Sequence, residues 1–152
     1  MTGWAPPWHL PALAATDSEI AEAEKAANFD FPAEFRALLS VINGWRGFYM
    51  GVDLFGTDDF ISGRSLEVKQ RDEIADCLQG AGFRDEETLV IGASDEEIDT
   101  FILISDSNAS LAGGVLWWAG SEIDRFPGCA AFFEAMVNYN AHIANKLVQD
   151  AR

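Results

Sequence analysis

DEETLVIGASDEEIDTFILISDSNASLAGGVLWWAGSEID, residues 85–124, is the stretch on which the fold turns. Three apolar runs are threaded through it: Leu89-Val90-Ile91, Phe101-Ile102-Leu103-Ile104 and Val115-Leu116-Trp117-Trp118. Each is short and bounded by Gly, Ser, Asp or Asn, which is the pattern of strands. A fourth short strand around residues 122–126 pairs back across Ala119-Gly120-Ser121. The same stretch carries ten acidic residues and no Lys or Arg. Runs this apolar are buried, so a folded scaffold and not a disordered tail displays the carboxylates.

Outward from this centre the spacing changes from strand to helix. Thr16-x-x-Glu19 is a capping box, and Ile20, Ala23 and Ala27 follow along one helical face. Pro32 opens a second helix at the first-turn position, where its missing N–H has no cost. Phe35, Leu38, Leu39 and Ile42 then form a core-facing stripe that Asn43-Gly44 closes as a C-terminal cap. Residues 48–55 have strand composition interrupted by Gly51, and Gly56-Thr57-Asp58-Asp59 reads as a turn. One helix is predicted over residues 65–79, with Leu66, Ile74, Cys77 and Leu78 as its stripe. After Pro127-Gly128, a last helix runs to about Gln149 with Phe132, Met136, Tyr139, Ile143 and Leu147 on one side. Residues 1–13, with three Pro and with Trp4 and Trp8, read as an extended strap packed on the domain.

Helices at both ends and strands between them indicate a single α+β domain over residues 1–152, with a mostly antiparallel sheet and a folded core at 14–150. At 152 residues such a domain buries most of its apolar surface without disulfides or metal. The formal net charge of −15 argues against nucleic acid and against anionic membranes as partners, and favours a basic protein. The start of the chain lacks the basic region and apolar core of a signal peptide. No run approaches the roughly 18 apolar residues of a membrane span, so a cytoplasmic protein is expected.

The chemistry-bearing motifs are sparse. Cys77 and Cys129 have no CxxC spacing and the chain holds two His, so neither a disulfide framework nor a zinc site is expected. Asp106-Ser107-Asn108-Ala109-Ser110 resembles half a calcium loop. The positions that need Gly and Glu are Leu111 and Trp117, and a polar turn is the better reading. Neither a Walker loop nor GxGxxG is present, so no cofactor is expected. Acidic neighbours such as Asp58-Asp59 and Asp95-Glu96-Glu97 could pair for acid–base work, but carboxylates in turns are solvated instead of raised in pKa. A carboxylate-dependent hydrolase is thus only the second alternative, and the chain is expected not to be an enzyme. Trp117 and Trp118 face opposite sides of a strand, which leaves one of them for an interface or a second packed layer.

Ile20-x-x-Ala23-Glu24, Phe31-Pro32-Ala33-Glu34-Phe35, Leu38-Leu39, Ile42-Asn43-Gly44 and Leu54-Phe55-Gly56 together resemble the SUKH superfamily. That group includes the yeast cell-wall-synthesis regulator and many bacterial immunity proteins. Leu89-Val90-Ile91-Gly92, the strand at 101–104, Val115-x-Trp117 and a helix beginning near Phe132-Phe133 follow the family order. The resemblance covers roughly residues 16–140. It implies a non-enzymatic α+β domain that neutralises a cognate secreted or contact-delivered toxin, a nuclease or deaminase. Pro32, Gly44 and Phe55 would be structural, and no binding residue follows from the motif.

The expected contact set is therefore drawn from charge and aromatic content: Asp58, Asp59, Asp95, Glu96, Glu97 and Asp99, with Trp45 or Trp118 as anchors. Arg46 and Arg64 enclose a second segment free of basic residues, with Asp53, Asp58 and Asp59. If the sheet joins the two segments, they form one patch; if not, only one of them matters. The alternative is a regulatory or scaffold protein for another basic partner. Monomer and weak homodimer are both open.

Overall fold

The computed structural model describes residues 10–96 and 98–150; Trp4, Trp8, His9 and Glu97 lie outside the described residues. The chain begins with α1 (Asp17–Ala27) and α2 (Ala33–Leu39), then β1 (Trp45–Tyr49) and β2 (Val52–Leu54). Three short helices follow: α3 (Thr57–Ile61), α4 (Arg64–Lys69) and α5 (Asp72–Gly80). A 3-10 turn at Asp85–Glu87 leads into β3 (Thr88–Ala93), β4 (Thr100–Ile104), β5 (Val115–Trp118), β6 (Glu122–Phe126) and α6 (Cys129–Asp150). The strands form one antiparallel meander in the order β1-β2-β3-β4-β5-β6. The α+β class and the antiparallel sheet expected from the sequence are what the chain builds.

Every residue of β3 and β4 is buried. Both faces of the sheet centre are therefore covered, in keeping with runs that do not alternate with polar residues. Phe132 of α6 sits on one face among the rings of Phe48, Phe101 and Phe126, at centroid distances of 6.0, 4.9 and 5.5 Å. Trp117 shares this side, 5.5 Å from the ring of Tyr139 on α6. Trp118 points the other way, toward Ile74 and Cys77 of α5. The α4 helix runs along β3, where the Ser65 hydroxyl donates to the Val90 carbonyl and the Lys69 Nζ donates to the Thr88 carbonyl.

The capping box forms as its spacing requires. Glu19 N donates to Thr16 Oγ1 at 3.1 Å, and Thr16 N donates to Glu19 Oε1 at 2.9 Å. Glu24 then ties α1 to α2, its Oε2 accepting from Phe31 N at 3.0 Å and from Arg36 Nη2 at 2.7 Å. Pro32 stands one position earlier than expected, as the N-cap of α2 and not its first helical residue. Val52, Leu54 and Phe55 are buried, and Met50-Gly51, both with positive φ, make the tight turn of the β1–β2 hairpin.

Further sequence expectations are corrected. Residues 65–79 form two helices, because Val68 and Ile74 are both buried yet six positions apart, a spacing that one helix of period 3.6 cannot place on one face. Leu66, expected in the stripe, is 57% exposed. Gly56-Thr57-Asp58-Asp59 is the start of α3, whose first turn Asp59 caps by accepting from Gly56 N at 2.9 Å. Asn43-Gly44 does not cap α2, which ends at Leu39. Instead Asn43 Oδ1 accepts from Thr57 N at 2.7 Å, and Gly44, at φ +89°, lies against the backbone of Gly56. Lastly, the α6 stripe is buried only at Phe132 and Met136; Leu147 is 65% exposed.

A side chain at Gly56 would meet the backbone carbonyl of Asn43, with no flexible group to give way. Gly56→Ala is expected to lower stability by about 1–3 kcal/mol. Urea unfolding should show this as a lower midpoint with an unchanged slope.

Candidate partner-binding face

Arg64, the first residue of α4, organises one pole of the molecule. Its Nη2 donates to Asp53 Oδ2 of β2 at 3.0 Å, and its Nη1 donates to Asp59 Oδ1 of α3 at 3.2 Å. Asp95, in the β3–β4 loop, lies 3.9 Å from Nη2. The guanidinium also stands over the ring of buried Phe55, 4.7 Å from its centroid. Burial acts to lower its pKa, but the hydrogen bonds to Asp53 and Asp59 and their charges raise it above the ordinary value. Each acid is held a second way as well: Asp53 Oδ1 accepts from Gly47 N at 2.8 Å, and Asp59 accepts from Gly56 N.

A cavity of about 340 Å³ opens beside this cluster, with Trp45, Arg46, Asp53, Asp58, Asp59 and Arg64 in its wall. Asp58 is exposed on α3, and the Asp95 side chain is 84% exposed. Trp45 rests on Phe48 and Phe133, with centroids 5.6 and 6.4 Å away. Four carboxylates (Asp53, Asp58, Asp59 and Asp95) and two guanidinium groups (Arg46 and Arg64) leave the pole at −2. The two segments free of basic residues do meet here, and Arg64 is the residue that joins them.

Of the expected contact set, Asp58, Asp59, Asp95 and Trp45 come together, and Glu96 is exposed beside Asp95. Two do not join them. Asp99 faces the α6 side, where its Oδ1 accepts from Trp117 Nε1 at 2.8 Å; with burial, its charge raises the Tyr49 pKa. Trp118 lines a separate groove of about 490 Å³ with Ile74, Cys77, Ile98 and Thr100. Arg64 was not in the set. Its signal in the sequence was a single Arg closing a segment that holds three Asp, which calls for a partner.

The stretch 85–124 is also less uniform in space than in sequence, because the bases that flank it fold back. Lys69 reaches Asp85 at 3.5 Å, Arg84 reaches Glu86 at 3.5 Å and Glu87 at 2.9 Å, and Arg125 pairs with Glu122. Glu87 is buried, and its oxygens also accept from Arg84 N and Asn108 Nδ2, both at 3.2 Å. Asn108 is thus a loop anchor, its Oδ1 accepting from Ser110 N and Leu111 N, as a polar turn requires. Among the described residues, no group of three or more His, Cys, Asp or Glu is placed to hold a metal ion. Burial, followed by the Glu34 charge, pushes the Cys129 thiol up to about 12, so it stays protonated at neutral pH. No described helix is long and apolar enough to cross a membrane.

The model of the SMI1 / KNR4 family (SUKH-1) matches residues 14–138 of the chain. No curated protein matches it.

Two outcomes test this geometry. Replacing Arg64 by Gln leaves Asp53 and Asp59 facing each other without their shared cation. Breaking a fully buried pair costs about 3–5 kcal/mol, and these side chains keep about a fifth of their exposure, so a loss of roughly 1–3 kcal/mol is expected in thermal melts. Glu87 gives a pH signature. Its side-chain bond from Arg84, then the Arg84 backbone N–H and Asn108, hold its carboxyl below the ordinary value of 4.5. A carboxyl lowered by folding stabilises fully above its unfolded value and loses that contribution as pH falls through the folded one. Glu87→Gln should therefore be less stable than the parent at neutral pH, and the two melting curves should draw together as pH falls below 4.5.

Proposed function

The chain belongs to the SMI1 / KNR4 family (SUKH-1), and from that premise we propose that it is an immunity protein, which binds a cognate bacterial toxin and neutralises it. The observation that carries this reading is the acidic pole around Arg64, where Asp53, Asp58, Asp59 and Asp95 converge beside Trp45. A nucleic-acid-directed toxin, a nuclease or deaminase, has a cationic cleft built for phosphates. Carboxylates on a rigid face enter such a cleft in place of phosphate, and a net charge of −15 draws the toxin from a distance.

The pole is suited to the task because two of its acids are already held. Arg64 and backbone N–H groups fix Asp53 and Asp59, so little side-chain entropy remains to be lost on binding. Asp58 and Asp95 are the exposed members, with oxygens available to a partner's Lys or Arg. Trp45 supplies the flat apolar contact that interfaces place beside charged rims. On this reading the chain acts by occupying a site; Cys129 is buried with its thiol pushed up by that burial, and His142 stands exposed on α6.

Co-expression with the product of the adjacent gene tests the reading directly: the two should co-purify, and the neighbour's toxicity should disappear. The triple variant Asp58→Lys, Asp95→Lys, Glu96→Lys should lose about 10–100-fold in affinity at low salt, mostly through slower association, with a shallower salt dependence. Unchanged binding would remove the pole from the interface. Failure of any neighbouring protein to bind, together with capture of a basic partner that is not toxic, would favour the regulatory or scaffold role.

A further inference from the structure

The distal half of α6 has no place in the acidic pole. This helix is 22 residues long, about 33 Å at 1.5 Å per residue. Its first turns are fastened to the sheet by Phe132 and Met136, and Asn140 Nδ2 donates to the Phe48 carbonyl at 2.8 Å. Beyond Asn140 every described residue is exposed except Ile143, which is half-buried. Yet the apolar stripe continues: Tyr139, Ile143 and Leu147 follow Met136 at helical spacing, with Val148 beside them. Tyr139, Leu147 and Val148 are 41%, 65% and 55% exposed. Three turns of helix have little stability of their own, since helices of this length depend on packing of an apolar face.

Charge indicates what covers that face. Residues 135–149, bounded by Glu134 and Asp150, contain Lys146 and no Asp or Glu, in a chain with 25 acidic residues. A cationic partner gains little here and is drawn to the carboxylates elsewhere. A second copy of this chain, also at −15, is repelled by every acidic surface and can approach most closely where carboxylates are sparse. We propose that the distal half of α6 is a self-association face, on which two copies pair antiparallel about a two-fold axis near Ile143. Leu147 of one copy then lies against Tyr139 of the other, as an isologous contact demands. Three helical turns bury roughly 300–400 Å² per copy, about half of what a stable interface needs, so the dimer is weak and dependent on concentration.

The sign of its salt dependence sets this contact apart from binding to a toxin. Salt screens the repulsion between two −15 chains and strengthens the dimer, whereas it weakens an acidic-to-basic complex. Sedimentation velocity on the parent chain, from roughly 10 to 500 µM, should show the mean mass rising from 16.6 kDa toward twice that value. The rise should be larger at about 500 mM than at about 20 mM salt. Ile143→Gln with Leu147→Gln, a change without charge, should remove the rise and leave the far-ultraviolet spectrum of the parent at low concentration. Lys146→Glu, which puts a carboxylate on the face, should weaken association several-fold. A parent that stays at monomer mass throughout overturns the proposal, as does association that survives the double Gln variant. So does a double variant that loses toxin binding while the parent never self-associates, because the face would then belong to the toxin.

Discussion

The burial of β3 and β4 on both faces is the constraint from which the rest of the molecule follows. The eleven strand positions of these two elements include no exposed residue, so each side of the sheet centre needs a layer. With α6 placed on one side through Phe132 and with α4 and α5 on the other, charged groups have no place at the centre. They collect at the loops, at the sheet edges and at helix ends. The acidic pole is one such collection, and its position is a consequence of how completely the middle is filled.

Where the local signal was strong, the fold was legible in the sequence. The four strands from β3 to β6 stand where unbroken apolar runs and turn residues indicated. The capping box at Thr16 and Glu19 forms with both of its bonds. What was not legible depends on residues far apart in the chain. Nothing in residues 65–79 marks a break; it arises because Ser65 and Val68 answer to β3 while Ile74 and Leu78 answer to other neighbours. Asn43-Gly44 is a sound helix stop by local rules, but its use is to receive Thr57 and Gly56 from fourteen and twelve positions onward. The stripe of α6 was correct in spacing, and only the extent of the sheet determines where its burial ends.

The candidate site divides in the same way. Its acids could be identified from the composition of two segments without Lys or Arg. Their convergence could not, because it passes through one cation, Arg64, that belongs to neither segment. Charge counted along the chain also overstates charge displayed in space. Lys69, Arg84 and Arg125 lie outside or at the border of residues 85–124 and yet pair with acids inside it. Glu87, counted with the others, is interior and helps to fasten the loop at Asn108.

The meander order has a kinetic meaning of its own. Every strand pairs with the strand that precedes or follows it in the chain, so the loops the sheet closes are short except for residues 55–87, which carry α3, α4 and α5 between β2 and β3. It can grow in the order of synthesis, each hairpin being added to an edge already formed. The face that carries Phe101 and Trp117 must wait for α6, which is made after all six strands. A chain synthesised only as far as β6 therefore offers an unprotected aromatic surface until α6 arrives to close it.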